Sequence, residues 1–196
     1  WKDGFAGQQD FLAGGQACRF LKVPLLFSGF SSYAVEKARP FLSRMGFYPV
    51  LSGQTGQAAE KSLSAEPALK EGDPVTVQLI GGDMDMSALG TVTYVDGNTI
   101  LAFGHPLYNM GPVDYAMTRA KIMAIVPALD NSFKLAATGN LIGAFTQDRA
   151  SGALGEIGKT PRMIPVNVRL IGDSLDLREF KFQVINDRIL SPLLAN

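Results

Sequence analysis

From Gly72 onward, apolar and polar residues alternate in short runs, the period of a strand with one face covered. Val75, Val77 and Leu79 alternate with Thr76, Gln78 and Ile80, and Gly81-Gly82-Asp83 closes that run. Residues 91–95 and 99–103 flank Asp96-Gly97-Asn98, whose Asp-Gly pair predicts a tight hairpin turn. Further strands are predicted over 121–126, 133–137, 141–146, 163–170 and 179–185, with turn residues between nearly every pair. About seven or eight short strands at this spacing predict an all-β body, closed or half-closed as a barrel or stacked as a sandwich. The breaks between them lack the long amphipathic helices that a parallel sheet requires, which argues against an α/β fold.

The chain before Gly72 reads differently. Residues 1–30 mix aromatics with Gly14, Gly15 and Pro24 and show no steady period. Ser32 has the character of an N-cap, with Glu36 in the first turn and Val35, Ala38, Leu42 and Met45 spaced for one helical face. Gly46 is a natural stop, and Pro40 inside the span predicts a kink or a shorter helix. Residues 52–70 are small and polar, the composition of an exposed, extended linker. The expected division is therefore an N-terminal arm with one helix (1–51), a linker (52–70) and a β-barrel body (71–196).

Composition narrows the function. A length of 196 residues allows one good core, and 46% hydrophobic with 18% charged residues is ordinary for a globular chain. Lys+Arg and Asp+Glu balance at 18 each, so no basic footprint points to nucleic acid or an anionic membrane. The 21 glycines and 11 prolines favour short strands and turns over long helices. A single cysteine, Cys18, allows no internal disulfide and no cysteine-based metal site. No apolar run reaches the roughly 18 to 20 residues of a membrane-spanning helix. The chain opens on Trp1 rather than methionine, which suggests a processed piece of a longer parent.

One side chain dominates the candidate chemistry. His105 is the only histidine, and it stands between Gly104 and Pro106 at the end of the second hairpin strand. Imidazole exchanges protons near neutral pH, so a histidine held there by stiff backbone suits a general base. The plainer alternative is a histidine packed at a strand end. Asp83-Met-Asp85 offers two carboxylates, but without the rest of a calcium loop it reads as a solvated turn. Met84, Met86, Met110 and Met117 are spaced as core or rim filler rather than as a soft-metal site, so no metal or cofactor is expected. A serine–histidine–acid set would need His105, one of Asp114, Asp130 or Asp148, and a serine. Ser28 and Ser151 are the serines considered, and neither sits in the glycine-flanked turn that exposes a nucleophile beside backbone N–H donors.

Four segments carry a family resemblance: Gly90-Thr-Val-Thr-Tyr-Val-Asp-Gly97, Leu101-Ala-Phe-Gly-His-Pro106, Ile142-Gly-Ala-Phe-Thr-Gln-Asp-Arg149 and Met163-Ile-Pro-Val-Asn-Val168. They resemble the SpoIVB-type serine peptidases, and in particular the large secreted bacterial proteins that carry this domain in rearranged order. The likeness covers roughly residues 69–190. It implies trypsin-like, two-barrel ancestry, with this body as one half, a single antiparallel barrel, and with His105 at the catalytic histidine. The family's nucleophile lies in a Gly-Met-Ser-Gly-Ser-Pro motif that this sequence lacks. In the rearranged relatives that motif precedes the arm, so this chain matches the histidine-bearing half. Asp148, in the matched Thr-Gln-Asp-Arg block, is the first candidate for the triad acid, with its alternative a strand-end residue in a surface pair with Arg149.

The resemblance thus implies a serine endopeptidase domain with its nucleophile outside this chain, inactive alone, acting on polypeptide and located outside the cytoplasm. Its expected partner is an upstream serine-bearing segment of the same parent. The competing expectation is a non-catalytic structural or protein-interaction domain of an extracytoplasmic assembly, with the Phe- and Leu-rich arm packed on a partner.

Overall fold

The computed structural model describes residues 11–13, 16–18, 22–52, 68–127, 132–172, 175–188 and 190–194. In chain order the elements begin with β1 (Phe11–Ala13), β2 (Gln16–Cys18), β3 (Val23–Ser28), α1 (Ser32–Arg44) and β4 (Phe47–Leu51). The body continues with β5 (Pro74–Gly82), β6 (Asp85–Asp96), β7 (Thr99–Ala102), β8 (Gly111–Val126) and β9 (Phe133–Arg149). It closes with β10 (Gly152–Ile157), β11 (Met163–Gly172), β12 (Leu175–Ile185) and α2 (Leu190–Leu194). The chain is mostly β, as its alternating runs predict. Among the described residues β1 and β2 pair only with each other, and the other ten strands form one sheet.

Within that sheet, hydrogen bonds run from β5 through β8, β9, β10 and β7 to β6, and β6 pairs again with β5. Six antiparallel strands therefore form a closed ring. The ring buries Val75, Val77, Leu79, Ala88, Val92, Ile100, Ala102, Tyr115, Met117 and Phe145. Thr76 and Thr118, on neighbouring strands, are buried as well and bond hydroxyl to hydroxyl, which satisfies two polar groups inside an apolar wall. The β6–β7 hairpin turns through Gly97 and Asn98 between the paired Asp96 and Thr99, and Gly97 takes the left-handed φ of 56° that this turn needs.

Two predicted strands, 133–137 and 141–146, are in fact one strand of 17 residues, β9. Thr138-Gly139-Asn140 has the composition of a turn, yet here it is a bulge. Pairing with β8 steps from Thr118–Leu141 to Ala120–Thr138 and leaves Gly139 and Asn140 opposite Arg119. β10 escapes a pattern-based reading because Gly152-Ala-Leu-Gly-Glu-Ile157 has little apolar alternation. Its Gly155 is needed for space, since a Cβ there would sit 2.7 Å from the Met117 sulfur.

The larger surprise lies before the body. β3 runs parallel to β4, with α1 as the crossover, and its other edge pairs antiparallel with β6 from Leu25–Ala88 to Ser28–Asp85. Residues 23–51 are thus built into the body's own sheet. β3 shows no alternation because Leu25, Leu26 and Phe27 are all buried, so both faces are covered. α1 begins one residue earlier than expected, with Ser31 as N-cap accepting from the Ala34 N–H, and it continues through Pro40. Val35 and Leu42, one on each side of the proline, are both buried and hold the helix to the core. Glu36 lies beyond the first turn and pairs with Arg39 at 2.6 Å. Most of the expected linker, residues 53–67, lies outside the described residues. At its edges Ser52 bonds to the Phe27 carbonyl and Leu69 is buried in the core.

Gly143 marks a tight approach between β9 and β10, where a Cβ would collide with the Glu156 carbonyl and crowd Met117. Gly143→Ala is expected to destabilise the chain by about 1–3 kcal/mol in urea unfolding. Tyr94→Ala, at a half-exposed position on the outer face, should stay within about 0.5 kcal/mol of the parent.

Candidate functional site

β7 ends at Ala102, and the next two residues reverse the chain with left-handed backbone: Phe103 at φ 75° and Gly104 at φ 69°. For phenylalanine that conformation is strained by about 1–3 kcal/mol, so its surroundings must hold it. They do. The Phe103 N–H donates to the Thr91 carbonyl at 3.0 Å, and its ring packs edge-on to Phe145 with centroids 5.8 Å apart. Gly90 leaves room for that ring, for a Cβ there would lie 2.6 Å from it.

The reversal delivers His105 to the surface with its imidazole edge-on to Phe103, centroids 5.8 Å apart. Nδ1 lies 2.9 Å from the Pro106 carbonyl. A carbonyl only accepts, so Nδ1 carries the proton, and in the neutral ring Nε2 keeps its lone pair. Among the described residues Nε2 has no hydrogen-bond partner. It can take a proton from a group brought to it from outside.

Asp148 stands one residue before the end of β9 and is buried. Its Oδ1 accepts from the Leu107 N–H at 2.8 Å, and its Oδ2 accepts from the N–H groups of Tyr108 at 2.7 Å and Met110 at 3.4 Å. The carboxylate therefore binds the loop that follows His105, while the imidazole bonds to a carbonyl. Charge-assisted bonds to backbone N–H are the stronger kind, and three of them brace this loop. No surface pair with Arg149 forms: the Arg149 Nε donates to Gln147 at 3.0 Å, and its guanidinium lies over Gly111.

Beneath the loop, Tyr108 meets Phe47 of β4 edge-on, centroids 4.7 Å apart, and so ties the site to the β3–α1–β4 unit. The Tyr115 hydroxyl donates to Asp187 Oδ2 at 3.3 Å, and Asp187 Oδ1 accepts from the Leu190 N–H at the start of α2. Burial first, then nearby negative charge (Tyr115 ahead of Asp187 and Asp148 for Tyr108, the two aspartates for Tyr115), pushes both phenols well above the ordinary tyrosine range. They stay protonated and act as packing with a polar tip.

The remaining candidates make no hydrogen bond to His105 or Asp148 among the described contacts. Asp114 accepts from the Arg162 N–H at 3.1 Å and from its Nε at 3.2 Å. Asp130 lies outside the described residues. Ser28 is buried at the end of β3, its hydroxyl without a partner among the described residues. Ser151 is exposed in the turn between β9 and β10. Next to it, Gly152 packs so closely on the strand before His105 that a Cβ would lie 2.8 Å from the Ala102 carbonyl. Asp83 accepts from the Lys181 N–H at 2.7 Å, whereas Asp85 is buried, contrary to a solvated turn. Met86 and Met117 are core residues, and Met84 packs against the core. Among the described residues no three of His, Cys, Asp and Glu gather closely enough to hold a metal ion, and no helix is long and apolar enough to cross a membrane.

Comparison with protein-family models, with curated proteins and with solved structures finds no match to this chain. The SpoIVB likeness therefore rests on the four sequence segments alone.

Residue patterns could not foresee the bonds of Asp148, because its three partners come from a loop some 40 residues upstream. Asp148→Ala leaves those N–H groups without an acceptor and is expected to cost about 2–4 kcal/mol, with Asp148→Asn costing roughly half as much. Urea unfolding together with amide exchange at Leu107 and Tyr108 checks this. Unchanged protection at both amides would remove Asp148 from the brace.

Proposed function

We propose that this chain is the histidine-bearing part of a SpoIVB-like serine endopeptidase domain and that the six-stranded ring is one trypsin-like β-barrel half. The observation that carries the reading is His105: exposed, its Nδ1 bonded to a backbone carbonyl and its Nε2 turned to no partner of the described chain. A general base needs that state, with one nitrogen fixing the tautomer and the other free to accept the serine proton. In this reading the Pro106 carbonyl does the orienting usual for the triad acid. Asp148 acts at one remove, as a positioning residue that holds the loop after His105.

The nucleophile comes from a serine-bearing segment of the same parent, and the substrate is polypeptide outside the cytoplasm. The chain alone has no serine hydroxyl bonded to His105 among its described contacts, so it is inactive until that segment is added.

The test combines the chain with a segment carrying Gly-Met-Ser-Gly-Ser-Pro and measures both hydrolysis of an unfolded polypeptide and labelling of the serine by a fluorophosphonate. Activity should appear with the pair only, and His105→Ala should lower it by about a thousandfold or more while leaving the fold intact. Activity that survives His105→Ala would overturn the base assignment. No labelling and no hydrolysis in the pair would favour the structural or protein-interaction domain instead.

A further inference from the structure

A second buried carboxylate, Asp85 at the start of β6, takes no part in this chemistry. Its Oδ2 lies 2.5 Å from Gln78 Nε2 of β5, and its Oδ1 accepts from Ser87 Oγ at 3.0 Å and Thr138 Oγ1 at 2.9 Å. Ser87 Oγ and Thr138 Oγ1 also lie 2.9 Å apart, so hydroxyls of β6 and β9 and the carboxyl form a triangle of three contacts that share two hydroxyl protons. Thr138 belongs to the outer part of the β8–β9 hairpin, beyond the bulge, whose tip pairs Val126 with Phe133 and whose Met123 and Ile125 are exposed. The edge contact of Phe133 with Tyr48, centroids 6.4 Å apart, also fastens this hairpin to the rest of the fold.

We propose that Asp85 is an acid-tightened clasp, which holds the β8–β9 hairpin on β6 when its carboxyl is protonated and loosens it when ionised. Protonated, the carboxyl can donate one bond and accept others, and the neighbouring hydroxyls rotate to match, so the neutral triangle stays satisfied. Ionised, it is a buried charge whose three bonded partners among the described residues are all neutral. Water has a way in. Gln78 also lines an open groove of about 430 Å³, with Ala116 and Leu141 of the same hairpin on its wall. The Ser28 hydroxyl, unpartnered and paired in register with Asp85, is a spare donor on the same face of the sheet.

Among the described residues no charged group bonds to the Asp85 carboxyl. β3 and β5 carry no charged residue between Val23 and Ser28 or between Pro74 and Gly82. Asp83, just before β6, is engaged by the Lys181 N–H, and the hairpin brings Arg119 and Lys121 from β8 and Lys134 from β9. Burial pushes the Asp85 carboxyl above the ordinary carboxylate range, against the three hydrogen bonds that lower it, and no charge partner contributes. A folded value above the unfolded one means that the clasp is strongest below the ordinary carboxylate range. It weakens as pH rises through that range to the raised value, and is level above it.

Amide exchange of residues 119–126 and 133–138, corrected for the intrinsic pH dependence of exchange, reads the clasp directly. In the parent chain, protection should fall by about tenfold for each pH unit by which the carboxyl is raised. Asp85→Asn, neutral at every pH, should show protection that does not vary with pH. The same fall in Asp85→Asn, or no fall in the parent, would overturn the clasp. Should the variant not fold, the carboxyl carbon of Asp85 can be titrated by NMR in the parent, where a midpoint in the ordinary range would equally overturn it.

Discussion

The backbone of β6 is the constraint on which the rest of the structure depends. Its residues 86–91 pair with β5, while along its other edge residues 85–88 pair with β3 and residues 92–96 with β7. One strand thus closes the ring and also joins it to the β3–α1–β4 unit. Each of these pairings satisfies buried N–H and C=O groups that would otherwise cost about 1–3 kcal/mol apiece. Loss of β6 would open the ring, free β3 and remove Gly90, which makes room for the ring of Phe103. The candidate site would go with it.

Two buried aspartates show how surroundings decide what a carboxylate does. Asp148 faces backbone N–H groups of a loop and fastens the segment after His105. Asp85 faces neutral side chains on three strands and is pushed toward its protonated form by burial. One supports a reactive-looking loop; the other clasps a hairpin. Their contacts fall on different parts of β9, with Asp148 near its close and Thr138, the partner of Asp85, before the bulge. A single 17-residue strand therefore spans both. The bulge at Gly139–Asn140 allows this, since it lets the outer hairpin depart from the ring without breaking the strand.

The β3–α1–β4 unit connects to the loop of His105 through aromatic contact rather than through charge. Phe47 is almost wholly buried and meets Tyr108, whose N–H is held by Asp148. The loop is thus pinned from the ring side by a carboxylate and from the unit's side by a ring. Phe103, left-handed and wedged between Gly90 and Phe145, fixes its beginning. His105 lies between these anchors, exposed on stiff backbone, which is the pre-organisation that a proton-transfer group needs.

Local pattern was enough for what depends on local chemistry. Alternation in 75–80, the Asp-Gly turn at 96–97 and the apolar face of 35–42 give strands, a hairpin and a helix, because each follows from a few neighbouring side chains and dihedral preferences. His105 stood out for the same reason, as the one imidazole between glycine and proline. What the sequence left open depends on distant partners. β3 pairs with a strand about 60 residues away and shows no alternation because both its faces are covered. The glycine and asparagine at 139–140 become a bulge because β8 runs past them, and Pro40 stays helical because Val35 and Leu42 are held by the core. Asp148 and Asp85 differ in no local signal that separates a loop brace from a buried clasp. Their roles come from N–H groups and hydroxyls that only the folded chain brings within hydrogen-bonding distance.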